Sequence, residues 1–274
     1  MLVGQAVRKV RDAEPCGRGS QDGNRAGVPD YFKTQRASAQ LFSTQSHLSG
    51  SHAMIDLSTW NLTIPVGTPA RVIETPRLVD GYSDAYFRSG NTLFFWAPVT
   101  GGTTSKSEFP RSELRETYKD GELRNWTYPE ADHRMTASLS VNQVPSEGRV
   151  VIGQIHTYQG KGPLLKVEYV YDKSRKTGSV IANYRLKPGS ADTKVVIAED
   201  VELNKRFTYE VRLSSAGYLQ VISQGYRWGR QLSKSWQGKQ LYFKAGAYTL
   251  DNTGYKNEGG QVTFNKLEAK HSKG

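Results

Sequence analysis

Residues 164–172 read LLKVEYVYD, and this stretch decides the fold class. In an extended chain Val167, Tyr169 and Tyr171 fall on one side, and Lys166, Glu168 and Val170 on the other. That period of two is the mark of a half-buried strand. The same kind of segment recurs at 93–99 (LFFWAPV), 134–142 (RMTASLSVN), 148–158 (GRVVIGQIHTY) and 178–187 (GSVIANYRLK). It continues at 193–199 (TKVVIAE), 207–214 (FTYEVRLS), 217–224 (GYLQVISQ), 240–250 (QLYFKAGAYTL) and 260–270 (GQVTFNKLEAK). Turn residues separate these runs, helical periodicity is nearly absent and no internal repeat is visible. The expected fold class is all-β, a β-sandwich jelly roll of two packed antiparallel sheets.

The chain of 274 residues is long enough for one large sandwich. Its hydrophobic fraction is only 36%, but it carries 15 Tyr, 9 Phe and 5 Trp, which suits a sheet protein with a polar, aromatic-lined groove. The formal charge of +11 favours anionic partners: nucleic acid, a membrane surface or an acidic polymer. Charge alone does not choose among these, and a surplus kept for solubility is the plain alternative. Cys16 is the single cysteine, so the fold must stand without an intramolecular disulfide. No apolar run is long enough to span a bilayer, and Met1–Gln5 opens no signal-peptide core. Residues 1–53, rich in Ser, Gln, Gly and Arg, carry no sustained period. With the junction-like SGSHAM at 49–54, they are expected to be an expression leader or disordered segment, leaving 54–274 as the folded domain.

Three strand segments carry chemistry. In RSELRE (111–116), Arg111, Glu113 and Arg115 share a face, so a carboxylate would brace two guanidinium groups that could grip an acidic ligand. A solvated ladder of surface ion pairs is the alternative. In QIH (154–156), Gln154 and His156 share a face while Ile155 points to the core; taken alone, the histidine reads as a satisfied, half-buried side chain. In YFKAGAY (242–248), Tyr242, Lys244, Gly246 and Tyr248 share a face. Lys244 beside a tyrosine would favour phenolate, and Gly246 would leave room for a ligand; an aromatic strand with a snorkelling lysine is the alternative. No second carboxylate stands where glycoside hydrolysis needs one: in EADHR (130–134) the pattern lapses at Met135. No metal-ligand spacing, phosphate loop or serine elbow appears, so no cofactor and no metal are expected.

The three segments, in this order, resemble the signatures of the polysaccharide lyase family 7 alginate lyases, and the opening DLSTWNL (56–62) extends the resemblance over roughly residues 55–270. One departure is Leu250, where the family usually has Gln. The resemblance implies a jelly roll with a substrate groove across the concave face of one sheet. It implies Arg111, Gln154, His156 and Tyr248 as the catalytic set, with Glu113, Arg115, Lys166, Tyr242 and Lys244 binding or bracing the substrate. The implied reaction is β-elimination in alginate, giving unsaturated uronate oligosaccharides; Ile155 leans the preference towards guluronate or mixed blocks. The chemistry agrees. Removing the C5 proton of a uronate builds charge on its carboxylate, which Arg111 and Gln154 would stabilise, while His156 and Tyr248 would serve as base and acid. The resemblance also implies a secreted or periplasmic monomer acting on an anionic polysaccharide, with neither nucleic acid nor membrane as partner. The competing readings are a lyase for another polyuronate, such as polyglucuronate, a non-catalytic acidic-polysaccharide-binding module and, from charge alone, a nucleic-acid-binding protein without a recognition motif.

Removal of residues 1–53 is expected to leave the midpoint of thermal unfolding and the turnover unchanged. Side-by-side melting curves and rates of the full and shortened chains check this, and a large loss in either would make the segment structural.

Overall fold

The structure, a computed structural model, describes Arg8–Lys9 and residues 54–273. Apart from that two-residue strand, the leader expected at 1–53 lies outside the described residues. Two eight-stranded antiparallel sheets form the fold. The first runs, in spatial order, β1 (Arg8–Lys9), β14 (Tyr226–Gln231), β13 (Tyr218–Ser223), β12 (Phe207–Leu213), β7 (Asp132–Gln143), β16 (Gly259–Ser272), β5 (Leu93–Pro98) and β4 (Phe87–Arg88). The second runs β11 (Thr193–Val201), β10 (Thr177–Tyr184), β9 (Leu165–Asp172), β8 (Arg149–Thr157), β15 (Leu241–Thr249), β6 (Arg111–Glu116), β2 (Trp60–Ile64) and β3 (Arg71–Ile73). The chain passes from sheet to sheet at β5–β6–β7–β8 and again at β14–β15–β16, while β8 to β11 and β12 to β14 are plain meanders. The alternation of sheets makes the sandwich a jelly roll. One short helix, α1 (Thr75–Val79), follows β3.

Alternation dictates the interior. On β15, Leu241, Phe243, Ala245 and Ala247 are wholly buried between the sheets, facing Phe95, Leu139, Val262 and Phe264 of the same core. Sequence periodicity misses β2, because all five residues of WNLTI are buried and the polar–apolar rhythm has nothing to mark. It also misses the short edge strands β3 and β4, and β14 as well.

A phenol ties the sheets together. Tyr209, on β12, is fully buried and its hydroxyl donates to the Ile152 carbonyl on β8 at 3.0 Å. Room for that ring depends on Gly153, where an added Cβ would meet the Tyr209 hydroxyl at 2.4 Å. The carbonyl sits where β8 changes register against both β9 and β15, so its ladder partner is lost and the phenol replaces it.

Tyr209→Phe is expected to destabilise the fold by about 1–3 kcal/mol, the cost of leaving a buried carbonyl unpaired. Gly153→Ala is expected to cost about 1–3 kcal/mol by overpacking. Denaturant midpoints at constant slope measure both; unchanged midpoints would show that the sheets do not depend on this contact.

Candidate active site

Register brings the three sequence segments together. Strand β15 lies between β8 and β6, with Tyr242 opposite His156 and Lys244 opposite Gln154 on one side. On its other side Lys244 faces Arg115, Gly246 faces Glu113 and Tyr248 faces Arg111. Outward side chains thereby form cross-strand rows. One row runs Lys166, Gln154, Lys244, Arg115 and Asn61 across five strands. All nine side chains singled out by the sequence stand on the outward side of this sheet, and five of them, Arg111, Arg115, His156, Tyr242 and Lys244, line a cleft of about 360 Å³ together with Asn61, Thr63 and Lys106, while Glu113, Gln154, Lys166 and Tyr248 do not line it.

The ladder at 111–116 is not solvated: Arg111 and Arg115 are 7% exposed and Glu113 is fully buried. Nor does Glu113 brace both arginines. Its carboxylate accepts from Arg111 at 2.9 Å, from the Lys244 ammonium at 2.5 Å and from the Gln154 amide at 2.5 Å. Burial alone would raise its pKa, but Lys244 and Arg111 outweigh burial and hold it below the ordinary carboxylate range. Burial, with Arg111 nearby, pulls Lys244 down to about 8, against the opposing pull of Glu113. Arg115 instead donates to the backbone carbonyls of Glu116 and Arg124 and to the Asn125 side chain, and covers the Tyr242 ring at 4.0 Å. It fastens the segment after β6 to the sheet. Lys166 reaches Asp192 at 3.3 Å.

His156 is held neutral. Burial, then the nearby Lys244 charge, lowers its pKa to about 4 despite the opposing bond to Thr157. Its Nδ1 lies 2.9 Å from the Thr157 carbonyl oxygen, an acceptor that fixes the proton on Nδ1 and leaves the Nε2 lone pair unprotonated. The Tyr242 hydroxyl stands 3.2 Å from the same nitrogen, and burial pushes that phenol up.

Tyr248 lies beneath Arg111, whose guanidinium carbon is 3.8 Å from the ring centre. Lys244, which the sequence sets beside a tyrosine on this face, has its ammonium held by Glu113. Gly246 also differs from expectation. Its φ of +151° and the approach of β6, whose Ser112 carbonyl would stand 2.5 Å from an added Cβ, demand glycine; the space belongs to the neighbouring strand and not to a ligand.

Sequence reading passed over Asn61 and Thr63, although both are polar in an apolar strand, and over the loop between β5 and β6, which has no period to read. It also passed over a buried cluster behind the site. There Glu116 accepts from Trp126 at 2.9 Å and bonds His271 at 2.5 Å, and His271 meets His133 at 2.6 Å. Among the described residues no group of three His, Cys, Asp or Glu side chains is placed to hold a metal ion.

A family model described as alginate lyase matches residues 55–271. An alginate lyase of Klebsiella pneumoniae is 27% identical over 298 residues, covering 86% of this chain and 96% of its own. The crystal structure of an alginate lyase from Pseudomonas aeruginosa is 41% identical, with a TM-score of 0.77, and the match covers 79% of this chain and all of that one. The alginate lyase A1-II', a member of polysaccharide lyase family 7, superposes with a TM-score of 0.71 at 29% identity, over 80% of this chain and 97% of its own. Variants of that enzyme are known in complex with a product, GGG, and with a substrate, GGMG. Family model, fold and order of motifs agree: this chain belongs to the alginate lyase family and is a polysaccharide lyase of the family 7 type.

Proposed function

We propose that this protein cleaves the 1,4-glycosidic bond of alginate by β-elimination, with Arg111, Gln154, His156 and Tyr248 as the reacting set. The observation that carries this reading is a neutral imidazole and a phenol on adjoining strands, beside a floor whose central carboxylate, Glu113, is buried and already committed. Glu113 offsets only one of the three cations Arg111, Arg115 and Lys244, so the floor of the groove stays positive, suited to a uronate and not to a hydrolase that works with two acids.

In this mechanism the uronate carboxylate lies against Arg111 and Gln154, which stabilise the charge that develops as the C5 proton departs. His156 stays neutral down to about pH 4 and takes the proton on Nε2. Tyr248 gives its proton to O4 as the C4–O4 bond breaks and the C4–C5 double bond forms. In mannuronate the C5 proton and O4 share one side of the ring, and Tyr248 alone can serve both steps; in guluronate they are opposed and His156 is needed. Glu113 and Arg115 position this set, and Lys166, Tyr242 and Lys244 contribute to the surface met by neighbouring sugars. Guluronate or mixed blocks are the preferred substrate, a reading supported by the GGG and GGMG complexes of the related enzyme. A polymer of this size implies work outside the cytoplasm, by a secreted or periplasmic monomer without metal, nucleic-acid or membrane partners. Appearance of the far-ultraviolet absorbance of the unsaturated product on mixing with alginate, and not with polyglucuronate, tests the reaction and the substrate together.

Arg111→Ala is expected to lower kcat by about 10²–10³ with a much smaller change in KM, because its donors act on charge present only in the transition state. Steady-state kinetics on alginate check this, and a rise in KM at constant kcat would reduce Arg111 to a binding residue.

On separated block polymers, Tyr248→Phe is expected to damage cleavage of both types. His156→Ala should lose more on guluronate blocks, by about 10²–10⁴. Equal losses on both polymers for His156→Ala would overturn the division of labour and give His156 a shared positioning role.

A further inference from the structure

The loop between β5 and β6 brings one more hydroxyl to the reacting set. Ser107 Oγ lies 3.1 Å from the Tyr248 hydroxyl, across 141 residues of sequence. Oγ is held by the Phe109 amide, which donates to it at 3.2 Å, and it can itself donate to the Phe109 carbonyl at 3.2 Å. The loop that carries it is anchored on both sides. Ala70 donates to the Thr103 carbonyl at 2.8 Å and Gly102 to the Pro65 carbonyl at 2.9 Å. Gly102 packs so closely that a Cβ there would stand 1.9 Å from the Gly67 carbonyl oxygen. Beyond Ser107, Asn252 bonds the Glu108 carbonyl at 3.1 Å and Thr249 the Pro110 carbonyl at 3.1 Å. Ser107 is therefore fixed against the strand that carries Tyr248.

We propose that Ser107 is a positioning residue that stabilises the Tyr248 phenolate, an inference that rests on Tyr248 acting as the acid. Before reaction the phenol donates to Ser107 Oγ, and the serine proton is given to the Phe109 carbonyl. When Tyr248 passes its proton to O4, and His156 takes the C5 proton, a phenolate is left facing Oγ. Rotation about the Cβ–Oγ bond turns the serine proton from the Phe109 carbonyl to the phenolate oxygen. Ser107 keeps its own proton throughout, so no other donor or acceptor is required. The Arg111 guanidinium over the ring acts on the same charge from the face, while Ser107 acts at the oxygen. The two together explain how a phenol in a half-buried site can release and recover a proton on each turnover.

Ser107→Ala, Ser107→Thr, Tyr248→Phe and the double variant Ser107→Ala/Tyr248→Phe test this, by kcat, KM and the pH dependence of kcat on alginate. A hydrogen bond to a charged oxygen predicts that Ser107→Ala loses about 10- to 100-fold in kcat with KM nearly unchanged. The alkaline limb of its kcat–pH profile should move upward, and Ser107→Thr should recover most of the rate. In the Tyr248→Phe background the serine change should have no further effect. A full additional loss in that background, or a Ser107→Ala enzyme with wild-type kcat and pH profile, would overturn the proposal. Full activity in Tyr248→Phe would instead remove Tyr248 from the mechanism, so failure of the serine inference alone is recognised by an inactive Tyr248→Phe beside an unaffected Ser107→Ala.

Discussion

The site depends on one buried carboxylate. Taking Glu113 out of water costs several kcal/mol, and only the three donors that converge on it offset that cost. The donors come from three neighbouring strands, so Glu113 fixes the relative positions of Arg111, Gln154 and Lys244 more tightly than strand pairing alone would. With Arg111 held, its guanidinium rests on Tyr248; with Lys244 held, its charge adds to the burial that keeps the His156 imidazole neutral. Such a set is preorganised: its charges are held in place by the fold itself, the arrangement that the proposed reaction calls for.

The polar floor is matched by an apolar underside. Residues alternating with the site residues on β15 and β8, such as Phe243, Ala245 and Ile155, are buried in the core. Strand period thus links stability and chemistry directly, because a slip of one residue would exchange the two faces. Ile155, flanked by Gln154 and His156, is itself buried in the core.

How much of the fold and the site is legible in the sequence follows from the kind of information each residue carries. Periodicity is written in the chain, so most of the strands, though not β2, β3, β4 or β14, and the outward face of each segment that holds Arg111, Glu113, Gln154, His156, Lys244 and Tyr248, can be read from the residues alone. Partner choice is not written in periodicity. The pairing of Glu113 with Lys244 and Gln154 in place of Arg115 depends on which strands adjoin, and the turning of Arg115 towards Asn125 depends on a loop. Gly246 stands out in the sequence for the right property but with the wrong neighbour, since the close approach comes from β6. Ser107 and the Glu116–His271 contact lie in segments that reach their partners only through the crossing of the chain between sheets.

That crossing has a consequence for how the enzyme comes to exist at all. Glu113 bonds partners 41 and 131 residues away, so closing the site means closing very long loops of chain. Such contacts form late and slowly, because the entropy of loop closure is lost before they contribute anything. The groove cannot be assembled while the last third of the polypeptide is still emerging from the ribosome, because a chain that ends before β15 lacks Lys244 and Tyr248. This topology is a built-in delay: the catalyst is complete only when the sandwich is.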